Sequence, residues 1–219
     1  MIKKRGTAVQ RGCYLLVFLA AIVLLALIEK NMKGFYLGIF LLFGINAIIC
    51  LGVTITNGYA NVFSLGFGGI MLFSAYISSL FTLPIQYKTT FLQLPIWLEA
   101  AQLPFGISLI LGAIAAVLAS ITLVLPAFRL RGHYFILASL GINIVMTNLA
   151  VNLRSYTHGP LGIRNVPFST NVWWVYGILF LVVLFMWRFT HSKFGRAIIT
   201  LGKDQTLAAT MGIDVVCYK

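Results

Sequence analysis

Six stretches of nearly unbroken apolar sequence are separated by short polar breaks. Most are long enough to cross a bilayer as a helix. They run Tyr14–Ile28, Phe35–Thr56, Phe67–Leu83, Phe105–Phe128, His133–Leu153 and Val172–Arg188. The runs are continuous and not ten-residue alternations, so the pattern predicts helices rather than a barrel. The first is short unless it begins near Arg11. The third is short too, and Gly66, Gly68 and Gly69 crowd its start. It reads either as a plain helix entrance or as a broken, re-entrant element whose irregular backbone is covered by protein. The predicted fold class is all-α: a polytopic transmembrane helix bundle of about six spans, forming one domain over residues 1–219.

Composition agrees with lipid as the solvent. The chain is 60% hydrophobic and 9% charged, with mean hydropathy +0.98. Soluble domains carry far more charge, and four acidic residues cannot cover a water-facing surface. Lysine and arginine placement predicts orientation. Lys3, Lys4, Arg5, Arg11, Arg129, Arg131, Arg188, Lys193, Arg196, Lys203 and Lys219 fall on one side. Lys30, Lys33, Lys88, Arg154 and Arg164 fall on the other. Both termini are therefore expected in the cytoplasm. The basic start followed by Tyr14–Ile28 resembles a signal peptide, but no small-residue cleavage site is clear, so an uncleaved first helix is expected.

The net charge of +12 does not indicate nucleic-acid binding. The charges sit singly or in small groups at span ends, where they set topology and meet anionic lipid headgroups. Cys13, Cys50 and Cys217 are far apart, and no ligand-spaced His, Cys, Asp or Glu cluster suggests a metal. No Ser/His/Asp or Cys/His grouping supports a catalytic site or an enzyme. The expectation is no cofactor. There is no GxxxxGK[ST] motif, so ATP, if it drives the work, binds another subunit.

No acidic residue stands mid-span, which disfavours proton-coupled carriage. The polar residues inside the spans are neutral. Asn46 lies near the middle of the second span. Asn143 and Thr147 share a face of the fifth, with Asn148 and Asn152 on an adjacent face. Such groups serve either as helix–helix hydrogen-bonding glue or as the lining of a pathway for a polar or zwitterionic solute. Gly112, Ala113, Ala115, Ala116, Ala119 and Ser120 predict close packing of the fourth span. The uncharged, glycine-rich stretch Asn57–Gly69, which includes Ser64, allows tight turns and close backbone approach to a solute. The candidate pathway residues are thus Asn46, Asn57, Ser64, Asn143 and Thr147. Thr157–Ile163, THGPLGI, predicts a turn in an outer loop.

After Arg188 the chain becomes basic, glycine-marked and helix-capable through Lys219. Within it, Lys203–Met211 is rich in helix formers. Asp204 would fall in the first turn and Gly212 at the C-terminal stop. Leu207, Ala208 and Met211 would then share an apolar face, suited to a groove on a partner or to the lipid surface.

Four blocks resemble the branched-chain amino-acid ABC permease family, in particular its LivM-type subunits. They are NGYANVFSLGFGGIMLFSAY (Asn57–Tyr76), LPAFRLRGHYFILASLGINIV (Leu125–Val145), THGPLGIRNVP (Thr157–Pro167) and SKFGRAIITLGKDQTLAATMGIDVVCYK (Ser192–Lys219). The resemblance implies an inner-membrane permease subunit of a binding-protein-dependent importer. Its implied partners are a second permease subunit, two cytoplasmic ABC ATPases and an extracytoplasmic solute-binding protein. The implied substrates are branched-chain or related small amino acids, with urea, short amides or another small polar solute as alternatives. Residues 192–212 would form the cytoplasmic coupling segment, with Gly195, Arg196, Asp204, Leu207, Ala208, Met211 and Gly212 meeting the ATPase. Two departures stand out. Phe67-Gly68-Gly69 replaces the family's usual His-Ala-Ala. Family members also carry further spans beyond the last block, which implies a C-terminally truncated permease or a non-transporting membrane scaffold.

Overall fold

The computed structural model describes residues 25–26, 29, 34–91, 94–95, 98, 101–128, 130 and 132–204. Among them the chain forms eight α-helices and no strand. In chain order these are α1 (Phe35–Val53), α2 (Phe67–Thr82), α3 (Ile85–Phe91), α4 (Phe105–Ala127), α5 (His133–Asn152), α6 (Arg154–Thr157), α7 (Val172–His191) and α8 (Lys193–Lys203). A π-helical turn, Thr54–Tyr59, prolongs α1, and a 3₁₀ turn, Gly159–Leu161, follows α6.

Four helical stretches are long and apolar enough to cross a membrane: Phe35–Tyr59, Phe105–Ala127, His133–Asn152 and Val172–His191. Phe67–Thr82 is shorter. These match five of the predicted spans, with ends shifted by at most a turn. Apart from Leu25 and Ala26, the predicted Tyr14–Ile28 span lies outside the described residues. The long helices are apolar all round, with Leu42, Leu118 and Leu184 among many large exposed side chains. In water that surface would be untenable; in hydrocarbon it needs no cover. Backbone signals bound the helices. Gly34 and Gly132, both at positive φ, precede α1 and α5. Pro104 precedes α4, and Pro126 occupies its last turn.

The described chain divides into two compact units. The first joins residues up to 54 with 170–198. Here α1 lies on α7. Leu41, Val172 and Val175 are buried together, with Leu25 and Leu37 against them. The Tyr176 hydroxyl donates to the Phe40 carbonyl at 3.0 Å, and the two rings stack at 4.6 Å.

The second unit holds the described residues within 55–169 and 199–204. Its centre is α2, packed against α4 and α5. Buried Gly112 lets α4 approach α2 closely, and Ser74 donates to the Gly112 carbonyl at 2.8 Å. Of the small residues predicted to let the fourth span pack closely, Gly112 and Ala119 are buried. From the last turn of α2 onward, Leu80, Leu83, Leu94 and Leu98 form an apolar cluster beside Lys88, which is 0% exposed. The predicted THGPLGI turn is more ordered than a simple turn. Thr157 bonds back to the carbonyls of Ala150 and Leu153, and its oxygen accepts the Gly159 N–H.

Asp204 stands just past the end of α8, and its N–H donates to the Thr200 carbonyl at 3.1 Å. Ser192 caps the start of α8, its hydroxyl accepting the Gly195 N–H at 3.0 Å. Phe194, Ala197, Ile198 and Leu201 then recur at helical spacing among basic residues. Residues 205–212 lie outside the described chain.

Candidate functional site

Several neutral polar residues gather where α1 loosens. Thr54 bonds back to the Cys50 carbonyl at 2.7 Å, a habit that bends helices. The following bonds widen, from the Ala60 N–H to the Ile55 carbonyl at 3.1 Å and from the Val62 N–H to the Thr56 carbonyl at 3.0 Å. Such π-turns often mark functional positions. Residues 60–66 then run without regular structure until α2 begins.

Side chains take over the bonding that the irregular backbone loses. The Asn57 amide oxygen accepts the Ser64 N–H at 3.1 Å and the Thr56 hydroxyl at 3.3 Å, closing the loop on itself. The Ser139 hydroxyl on α5, 0% exposed, accepts the Leu65 N–H at 3.0 Å and donates to the Ile136 carbonyl at 2.8 Å. Asn61 holds a φ of 51°, in the left-handed region that asparagine tolerates.

One turn along α5, Asn143 faces the start of α2. A methyl group added at Gly69 would stand 2.9 Å from the Asn143 Cα, and one at Gly68 would stand 3.2 Å from its amide oxygen. These glycines let the two helices meet at a half-buried amide. Thr147 is exposed and donates to the Asn143 carbonyl at 2.9 Å. Asn46 is exposed on α1. Of the five candidate pathway residues, Asn57, Ser64 and Asn143 therefore cluster around the α2 entrance. Thr147 lies one turn beyond Asn143, and Asn46 lies in the other unit.

Beside this cluster is a cavity of about 290 Å³. Val62, Phe67, Ile121, Val124 and Phe135 give it apolar walls, and Thr56, Ser64 and Ser120 contribute hydroxyls. The surroundings offer neutral hydrogen-bonding groups and apolar space. Among the described residues no group of three His, Cys, Asp or Glu could hold a metal.

On the expected coupling segment, Gly195 is buried at the third position of α8. A side chain there would collide with the Phe189 carbonyl, so only glycine permits the tight turn from α7 into α8. Arg196 is exposed on α8, and Asp204 is exposed just past its end. Leu207, Ala208, Met211 and Gly212 lie outside the described residues. Two contributors escaped the sequence reading: Ser139, and Gly202 near the end of α8, where a side chain would collide with the Tyr59 carbonyl. A serine within a span and a glycine within a helix are ordinary until their neighbours are known. Ser192, by contrast, carried a readable signal as the capping residue ahead of a helix-forming stretch.

The family model described as "Branched-chain amino acid transport system / permease component" matches residues 35–219. Two curated proteins resemble the chain, the high-affinity branched-chain amino acid transport system permease protein LivM of Escherichia coli strain K12 and that of Salmonella typhimurium strain LT2. Each is 28% identical over 123 residues, 56% of this chain and 25% of the relative. The matched stretch thus spans about a quarter of either relative's length. No solved structure matches.

Proposed function

Because the chain belongs to the family of branched-chain amino acid transport permease components, we propose that it is a membrane subunit of a binding-protein-dependent importer driven by ATP hydrolysed on separate subunits. It is a multi-pass inner-membrane transport permease, and the family is one of transporters, not of enzymes. The single observation carrying the proposal is the family match across residues 35–219. The proposed partners are a second permease, two cytoplasmic ATPases and an extracytoplasmic binding protein. The proposed substrate is a branched-chain or related small amino acid.

The α2 entrance suits that substrate chemically. A zwitterion crossing the bilayer interior needs neutral donors and acceptors that replace its hydration without trapping it. Asn57, Ser64, Asn143 and Thr147 are of that kind, with Asn46 as a further candidate. The apolar cavity beside Ser64 offers space for a branched side chain. A second reading, transport of urea or a short amide, is favoured by one feature. Phe67-Gly68-Gly69 leaves the Asn143 amide against glycines, and amide-to-amide hydrogen bonding suits such a solute.

Reconstitution with the ATPase and binding protein tests both readings. Leucine uptake should require ATP and be competed by isoleucine and valine; competition by urea or acetamide alone would transfer the assignment to the second reading. Coupling is proposed to run through Gly195, Arg196 and Asp204 and onward to Leu207, Ala208, Met211 and Gly212. Replacing both Leu207 and Met211 with Asp should lower ATPase co-purification about tenfold, the loss expected when apolar interface anchors become charged, while membrane insertion persists. Unchanged co-purification removes the tail from the interface.

A further inference from the structure

The last turn of α8 meets the irregular loop backbone to backbone. A side chain at Gly202 would collide with the Tyr59 carbonyl oxygen, and its first carbon would stand 3.0 Å from the Ala60 carbonyl carbon. No side chain intervenes, so rotamer changes cannot absorb a displacement of this helix end. Tyr59 closes the π-turn. From there the chain runs directly to Ser64, whose N–H is held by Asn57, and to Leu65, whose N–H is held by buried Ser139. The contact point therefore lies within a few residues of the polar cluster at the α2 entrance.

Resting on the importer reading, we propose that Gly202 is a positioning residue. Through it, α8 moves the Tyr59–Ser64 backbone as one body and so sets whether the Asn57 and Ser64 polar atoms are presented to solute. A π-turn suits this role. Such turns recur at functional positions within helices, and a partner moves the loop by contacting its two positions differently. Gly202→Ala separates α8 from the loop by about the width of a methyl group and uncouples the two.

Two measurements on the reconstituted complex test this. The first uses Gly202→Ala. Assembly and ATP hydrolysis should stay within about twofold of wild type, while solute transported per ATP falls about tenfold, a coupling change of ordinary allosteric size. The nucleotide-dependent labelling of Phe63→Cys, a residue 53% exposed, should disappear with it. Wild-type transport per ATP and wild-type labelling overturn the proposal. Loss of assembly also overturns it, because Gly202 would then serve docking. The second measurement leaves Gly202 in place. With native cysteines replaced by serine, Ala60→Cys and Lys203→Cys are joined by a short reducible cross-linker. If loop and helix move together, uptake survives the cross-link; abolished uptake, restored by reduction, overturns the proposal. A wild-type complex without ATP-dependent uptake overturns the importer reading and this inference together, whereas wild-type uptake with an unaltered Gly202→Ala overturns the inference alone.

Discussion

Lys88 has surrendered all its exposed surface, and its ammonium is held by the carbonyls of Leu98, at 3.1 Å, and Ala101. Desolvation lowers its proton affinity from the ordinary value of 10.5. As pH rises, the folded chain therefore sheds this proton before the unfolded chain does. From the lowered folded value up to about 10.5 the unfolded state binds more protons, so stability from this group rises with pH across that window. Below it the desolvation cost is felt in full. Lys88→Met removes the titration and orphans both carbonyls. Stability near neutral pH should fall by about 1–3 kcal/mol, because orphaned acceptors outweigh the relieved desolvation. The rise toward pH 10 should flatten, as measured by thermal unfolding in detergent. An unchanged alkaline slope would show that Lys88 is not the titrating group. Lys88 was legible in the sequence only as an outer-side charge, because the carbonyls that dehydrate it lie ten and thirteen residues on.

At the scale of elements, helices were easier to read than the links between them. The starts of α1, α2, α4, α5 and α7 all coincide with the predicted span starts. Contiguous apolar length and the glycine or proline ahead of a helix are local signals. The irregular loop between α1 and α2 was legible as a glycine-rich break, but its bonding was not. Ser139 lies 74 residues from the N–H it receives, and nothing in the intervening sequence marks that pairing. Ser139→Ala should leave the Leu65 N–H unpaired, cost about 1–2 kcal/mol, and raise hydrogen exchange at Leu65 above that of the α5 amides. Exchange as slow as in wild type would mean that the loop is held by Asn57 alone. In the coupling segment the Ser192 cap sets a helix over Lys193–Lys203, a local signal of the same kind, while the helix formers from residue 205 onward lie outside the described residues.

For the whole molecule, lysine and arginine bias predicts that α8 and the loop after α6 lie on opposite sides of the membrane. An impermeant thiol reagent on intact cells should label Phe168→Cys, a residue 94% exposed, and should reach Lys203→Cys only after the cells are opened. Equal labelling of both before lysis would invalidate the orientation. The sequence by itself determined the solvent, the all-helical class, the starts of five apolar helices and the family, because burial in hydrocarbon and backbone self-satisfaction are imposed along a single contiguous run. Tertiary structure alone decided which neutral polar groups meet: Asn57 with the Ser64 N–H, Ser139 with Leu65, Asn143 with Gly68 and Gly69, and Gly202 with Tyr59. Those meetings depend on which helix faces touch, and helices that are apolar on every side carry no sequence periodicity from which to choose a face.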